Sequence, residues 1–459
     1  MDALIVAGVP QRAHLVGIGG SGMRALADVL TARGWQLSGS DCNAAAILEL
    51  GGKQMRLFAD HAAANLPDDA ELVIHSDAVP AENPELRRAA ERGLPVLSYF
   101  EMLGRLTAGC HTVAIAGTHG KSTTTAMAAQ VLVEAGRNPT VFCGATPYGA
   151  SSGGRAGSGG LVLVEACEYR AHFLHLRPRH AAILGIEPDH FDCYDSLEEI
   201  EAAFRRFAAL VPEDGLLLVR HDCDSTRRAT ASLPCPIESF GWAAEADWSA
   251  QRLTEEQGRF SYEVHHRGEH FCQVRLPMPG RHNALNSLAA AALTWHNGAT
   301  AEQIAAGLGN FAGLRRRLEV LGAWQGVTLV DDYAHHPTEV ACSLDTIRKL
   351  FPRQRVWCVF QPHQVSRTSR LLDELAASLQ NADRVLVAEI FRAREGDPRP
   401  GEVTAADLAG RAKALGAAVL PGHTAAEIVR TLETHLVPGD VLVTLGAGEV
   451  TALRPRAIM

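Results

Sequence analysis

The chain has 459 residues, 47% hydrophobic and 21% charged, with a formal net charge of −9. That length predicts two to four domains, each able to bury a core, and the composition excludes a disordered chain. The negative balance argues against a general nucleic-acid or anionic-membrane binder, since no basic excess is present to neutralise phosphates. Ten scattered cysteines without a C-x-x-C pair read as reduced thiols. With no leader pattern and no bilayer-spanning apolar run, a cytoplasmic protein is expected.

The first hundred residues alternate short apolar strands with amphipathic stretches. AHLVGIG runs into a turn, SGMRALADVLTARG has helical spacing closed by Gly34, and QLSGSD, ELVIHSDAV and LPVLS read as further strands. Such alternation predicts a parallel sheet flanked by helices. The turn GIGGSGM (17–23) resembles a dinucleotide fingerprint, with Asp41 near the distance at which an acid meets a ribose hydroxyl. On this motif alone the choice stays open between a plain strand-to-helix turn and an NAD-type dehydrogenase.

A second α/β block begins with TVAIAGTHGKSTTT. Glycines let backbone wrap a phosphate, the following helix aims N–H groups at it, Lys121 adds a charge and the next hydroxyl can meet Mg²⁺. Ile115 stands where the standard Walker loop has its first glycine, so the motif rests on its strand-and-helix context. GASSGGRAGSGG (149–160) is expected to be too rich in Gly and Ser to pack, and so a mobile surface loop. VEACEY and IEPDHFDCY then end two strands in Glu165, Glu168, Glu187, Asp189 and His190. Carboxylates and an imidazole at strand ends beside a phosphate loop suit one or two Mg²⁺ ions. Residues 257–277 alternate like antiparallel strands, and RHNALNSLAAAALTW reads as a helix.

A third block has strands VTLVDDY, RVWCVFQPH, DRVLVAEIF, GAAVLP and DVLVTLGAG. DDYAHHPTE and FQPHQVSRT are polar, aromatic clusters at strand ends and read together as a site. Boundaries are predicted near residues 108 and 313.

Taken in order, HLVGIGGSGM, SGSD, HSDAV, NPEL, AGTHGKSTTT, EACEY, EPDHFDCY, GRHNALN, DDYAHHPTE and FQPHQVSRT resemble the Mur ligase family of peptidoglycan synthesis, most closely its alanine-adding branch. The resemblance spans nearly the whole chain and demotes the dehydrogenase, which has no use for a second, Lys-bearing phosphate loop. It implies three α/β domains. A Rossmann-like domain (1–107) would hold the UDP-sugar, a central P-loop-type domain (108–313) would hold MgATP, and a Rossmann-like C-terminal domain (314–459) would hold the amino acid. The implied substrates are UDP-N-acetylmuramate, ATP and L-alanine, joined through an acyl phosphate.

By motif match, Gly17, Gly19, Gly20, Ser21, Gly22, Met23, Asp41 and Ser76 would meet the UDP-sugar. Gly117, Thr118, His119, Gly120, Lys121, Ser122, Thr123, Asn283, Asn286, Arg316 and Asp331 would meet ATP. Ser122, Glu165 and His190 would hold metal; Tyr333, His335, His363 and Arg367 would surround the alanine; Lys121, His190 and His335 would be catalytic. Three departures stand out. Gly185 replaces a frequent Asn, Gln364 replaces an Arg and would leave Arg367 alone for the alanine carboxylate, and LEEIEAAFRRFAAL lacks the lysine that later family members carbamylate. Two rivals remain: a recycling ligase that adds a preformed peptide, and a catalytically silent UDP-sugar binder.

Overall fold

A computed structural model describes residues 11–50 and 55–454, arranged as three α/β units. The first ten residues, part of the stretch read above as lacking a leader, lie outside the described residues.

The first sheet contains β1 (Arg12–Val16), β2 (Gln36–Ser40), β3 (Arg56–Phe58), β4 (Leu72–His75) and β5 (Val96–Ser98). All pairs are parallel, in the order β3-β2-β1-β4-β5. The order reverses between β1 and β4, so the crevice beyond their carboxyl ends is the expected ligand position of an open α/β sheet. The glycine-rich turn leaves β1 at that point. Gly17 is at φ 79°, and an added Cβ would lie 3.0 Å from the Ser76 side chain.

The central sheet runs β6 (His111–Ala116), β7 (Thr140–Phe142), β8 (Gly154–Arg155), β9 (Leu161–Glu165), β10 (His180–Ile183), β11 (Leu216–Arg220), β12 (Ile237–Gly241), β13 (Trp248–Glu256), β14 (Arg259–His266) and β15 (Glu269–Leu276). Its order is β15-β14-β13-β12-β11-β10-β6-β9-β7-β8. β6 lies between β9 and β10, all parallel, so the phosphate loop and both acidic strand ends open on one edge. The strands are nearly continuous apolar runs because helices cover both faces. The 257–277 region forms the expected antiparallel ladder with β13.

The third sheet runs β16 (Glu319–Trp324), β17 (Val327–Asp332), β18 (Val356–Phe360), β19 (Arg384–Val387) and β20 (Val441–Leu445), in the order β16-β17-β20-β18-β19. β16 pairs antiparallel at the edge, and the others are parallel. The expected strand GAAVLP forms only an isolated bridge, Val385 to Val419. β16 had no alternating apolar signal to reveal it.

The reading of 149–160 as a loop unable to pack is corrected. Ser152 is buried, and its hydroxyl donates to Asp28 Oδ2 at 2.6 Å, while Arg33 donates to the Gly157 carbonyl at 2.7 Å. A Cβ on Gly154 would lie 2.1 Å from the Ala25 carbonyl oxygen. The glycines here permit helix Ser21–Ala32 to press on the central sheet. The result is one hydrophobic core that runs from Leu15 and Leu26 through Phe142 to Phe204. The C-terminal unit has cores of its own, around Val385 and Trp357. It meets the rest through polar contacts, described next.

Candidate functional site

The turn after β6 supplies the first groups. Gly117 and Gly120 have φ of 134° and 83°, and a Cβ on Gly120 would stand 2.3 Å from Asn286 Oδ1. Only glycine fits where the helix Arg281–His296 closes on the loop. Helix Lys121–Glu134 then begins, and Lys121 Nζ donates to Gly117 O (2.6 Å), Thr118 O (3.2 Å) and Glu168 Oε1 (2.8 Å). Burial alone would lower the Lys121 pKa, but the Glu168 carboxylate holds it above the ordinary value.

Glu168 joins two strand ends. His190 Nε2 lies 3.4 Å from the same Oε1, while Glu168 Oε2 and His190 Nδ1 are buried without hydrogen-bond partners. Burial would raise the Glu168 pKa; the charges of Lys121 and His190 lower it below the carboxylate range. His190 has φ 54°, an uncommon conformation for a side chain of this size and one that clusters at functional sites. An orphaned carboxylate oxygen and an orphaned imidazole nitrogen beside a phosphate loop are donors that suit a Mg²⁺ ion. Glu165, expected as a ligand, accepts the Gly144 N–H at 2.7 Å through Oε2. Glu168 is the acid brought between Lys121 and His190; it begins the 3₁₀ turn after β9, where the strand period no longer tells which way a side chain turns.

A cavity of about 530 Å³ opens beside the loop, lined by His119, Gly120, Thr123, Asn283 and Asn286 from the central unit. From the third sheet come Arg317 and Asp332, not the expected Arg316 and Asp331. Successive strand residues face opposite sides. Asp331 therefore turns away, accepting from Thr444 Oγ1 and pairing with Arg454, both at 2.8 Å. Arg316 donates to the Gly446 carbonyl at 2.6 Å. Burial pushes the Asp332 carboxyl up to about 6, against the opposing pull of Arg317. Next to Gly185 stands Arg220, held by Asp222 at 2.8 Å and lining the same cavity, so a basic side chain is present where an Asn side chain is missing.

Across this cavity the third unit is already engaged. Thr338 Oγ1 donates to Glu187 Oε2 at 2.6 Å, His336 Nε2 lies 3.2 Å from Pro188 O, and His119 Nδ1 lies 3.1 Å from Glu339 Oε1. Burial would lower the His119 pKa, yet the Glu187 and Glu339 carboxylates beside the ring raise it to about 9. Arg367 is buried, and its Nε donates to Asp189 Oδ1 at 2.8 Å. Arg367, expected as the one cation for the alanine carboxylate, is here paired with a carboxylate of the central unit. His335 and His363 have ring centroids 5.6 Å apart, and burial lowers them to about 4 and about 3, so both are neutral near pH 7. Gln364 is buried at φ 70° with Nε2 unpartnered. Tyr333 carries the guanidinium groups of Arg316 and Arg317 about its ring, at 5.1 and 5.0 Å.

In the first unit, the Gly19 N–H donates to Asp41 Oδ2 at 2.7 Å, so Asp41 ties down the glycine turn. Met23, expected at the UDP-sugar, is corrected: its side chain lies in the hydrophobic core, on the inner face of helix Ser21–Ala32. Gly20, Ser21 and Gly22 stay at the turn and helix start, partly or fully exposed. Phe100, in the helix after β5, stacks on His172 of the central unit with centroids 4.1 Å apart, a pair no motif announced.

Three family models match the chain: "Mur ligase family, catalytic domain" over 12–111, "Mur ligase middle domain" over 115–294 and "Mur ligase, glutamate ligase domain" over 316–448. A UDP-N-acetylmuramate–L-alanine ligase of Lachnospira eligens is 37% identical over 445 residues, covering 96% of each chain. The chain belongs to the Mur ligase family. The relative of that name from Salinibacter ruber is 38% identical over 96% of this chain and 93% of its own. Among solved structures, the UDP-N-acetylmuramate–alanine ligase of Thermotoga maritima superposes with a TM-score of 0.81 at 26% identity, covering 96% and 97%. A murein peptide ligase of Psychrobacter arcticus gives 0.75 at 25%, covering 96% and 98%. The Mur ligase fold therefore extends over all three sheets.

Proposed function

We propose that this Mur ligase joins L-alanine to the carboxylate of UDP-N-acetylmuramate with hydrolysis of ATP, in peptidoglycan precursor synthesis. Relatives at 34–38% identity over nearly the full chain carry that name. The observation that carries the chemistry is the contact chain Lys121–Glu168–His190 at the end of a phosphate loop whose His119, Gly120 and Thr123 line a cavity shared with the C-terminal domain.

In this reading ATP occupies the 530 Å³ cavity, with Asn283 and Asn286 on the base side and Lys121 toward the transferring phosphoryl group. A carboxylate is a poor acyl donor, and its conversion to an acyl phosphate supplies a leaving group. Lys121 offsets charge on the phosphoryl oxygens, and positioning carries most of the acceleration. Mg²⁺, held by Glu168 and His190 with Ser122 and Glu165 nearby, would supply further charge neutralisation. The alanine amine then attacks the acyl carbon, and phosphate leaves. Neutral His335 and His363 can accept hydrogen bonds from that amine, and Arg367 and the free Gln364 amide can face the carboxylate. Engagement of the third domain would keep water from the acyl phosphate. No described helix is long and apolar enough to cross a membrane.

The test is phosphate release with UDP-N-acetylmuramate and MgATP, screened over amino acids and the recycling peptide. Alanine should give the highest kcat/KM. Preference for the peptide would replace this reading with the recycling ligase, and no turnover with any amine would leave the silent binder.

A further inference from the structure

Beside the Lys121–Glu168–His190 chain, a second cluster sits where the central and C-terminal domains meet. His119 follows β6, Glu187 follows β10, and His336 caps helix Pro337–Leu350. Their ligand atoms all lie within 4.8 Å of one another.

Each histidine has one nitrogen committed elsewhere. His119 Nδ1 faces the Glu339 carboxylate at 3.1 Å and His336 Nε2 faces the Pro188 carbonyl at 3.2 Å, so both carry hydrogen. The other nitrogens turn toward a single oxygen. His119 Nε2, buried and without a hydrogen-bond partner, is 3.5 Å from Glu187 Oε2. His336 Nδ1, which takes a long 3.3 Å bond from Thr338 N, is 3.8 Å from that oxygen. Glu187 Oε2 also accepts the Thr338 hydroxyl and keeps a further lone pair.

We infer that His119, Glu187 and His336 form a binding site for one divalent cation of the Zn²⁺ and Co²⁺ class, bridging the two domains. Two imidazoles and a single carboxylate with an open fourth position are a donor set for such ions, whereas Mg²⁺ favours oxygen-rich sites. Tetrahedral bonds of the usual length place ligand atoms roughly 3.3 Å apart, so each histidine must close on Glu187 by about half an ångström or less and the two histidines on each other by up to about 1.5 Å. Glu339 and Pro188 orient the rings as outer carboxylate and carbonyl partners do around metal-bound histidines. The ion would take the place of the proton on His119 Nε2. Because His119 and Glu187 also line the nucleotide cavity, a bound ion would pin the C-terminal domain over it.

The experiment titrates the metal-free full-length protein with Co²⁺ and follows visible absorption. Expected is one equivalent with the intense band of a four-coordinate ion, displaced by stoichiometric Zn²⁺ and retained in a large excess of Mg²⁺. His336→Ala and Glu187→Gln should each weaken Co²⁺ binding at least about tenfold. Glu187→Gln keeps the side-chain shape and the Thr338 contact, which guards against a folding defect. His265→Ala, in the separate His265–Glu263 pair on β14, should change nothing. A weak six-coordinate spectrum, equal affinity in wild type and both site variants, or loss of binding in His265→Ala would overturn the assignment.

Discussion

Arg367 of the C-terminal domain donates its Nε–H to Asp189 of the central domain at 2.8 Å, and both side chains are almost wholly buried. Asp189 Oδ1 also accepts the His190 N–H at 2.8 Å. The C-terminal domain is thereby tied to the His190 turn through one carboxylate. Burial would raise the Asp189 pKa, but the Arg367 charge drives it far below the carboxylate range.

Breaking this pair should loosen the domains. Removing one partner of a buried ion pair costs roughly 3–5 kcal/mol because the other charge is left uncompensated. Arg367→Ala should abolish alanine-dependent phosphate release and raise the radius of gyration in solution scattering. Unchanged scattering together with normal alanine turnover would refute the coupling.

Lys121→Ala should cut ligation roughly a hundredfold or more, through loss of a phosphate-directed charge in an oriented site. UDP-N-acetylmuramate binding should persist, since the glycine turn after β1 belongs to another sheet. Calorimetric binding and steady-state rates separate the two effects.

Arg316 and Arg317 should behave differently despite being neighbours. Arg317 lines the cavity, so Arg317→Ala should raise the Michaelis constant for ATP about tenfold, the size of one lost charge-assisted contact. Arg316 donates to backbone at Gly446, so Arg316→Ala should lower the melting temperature first. Reversal of the two phenotypes would return the nucleotide to the Arg316 side.

Gly154→Val should separate the first two domains. Its Cβ would meet the Ala25 backbone at 2.1 Å, and overpacking of this kind costs roughly 1–3 kcal/mol or more. A fall in melting temperature with weaker UDP-sugar binding is expected. A variant as stable as wild type would show that the contact is dispensable.

Glu238 should set part of the acid limit of stability. Burial would raise its pKa, but hydrogen bonds from His296 (2.8 Å) and Trp248 (2.7 Å), with His266 and Arg267 also facing it, hold it at about 2. A folded pKa below the unfolded 4.5 gives stability that is present above about 4.5 and lost as pH falls through 2. The contribution is roughly 3 kcal/mol at most. Chemical denaturation between pH 6 and 2.5 should show a shallower acid decline for Glu238→Gln than for wild type.

Much of the molecule is legible in the order of its residues. Apolar runs broken by Gly-rich turns predict parallel strands, and β6, the GTHGKST turn and helix Lys121–Glu134 follow from local patterning alone. Strand ends carrying Glu, Asp and His mark the reacting edge, because parallel strands all deliver their carboxyl ends to one side. Tertiary structure decided what local pattern does not encode. Whether Asp331 or Asp332 faces the cavity depends on strand register, and a one-residue difference reverses the face. Glu168 rather than Glu165 reaches Lys121 because the chain leaves β9 in a 3₁₀ turn. The Gly-rich segment 149–160 packs because Ala25, far away in sequence, comes close enough to exclude any side chain. Arg367 finds Asp189 178 positions away. Residue types and their spacing determine which groups are available; contacts between domains, set by shape and burial, determine which of them meet.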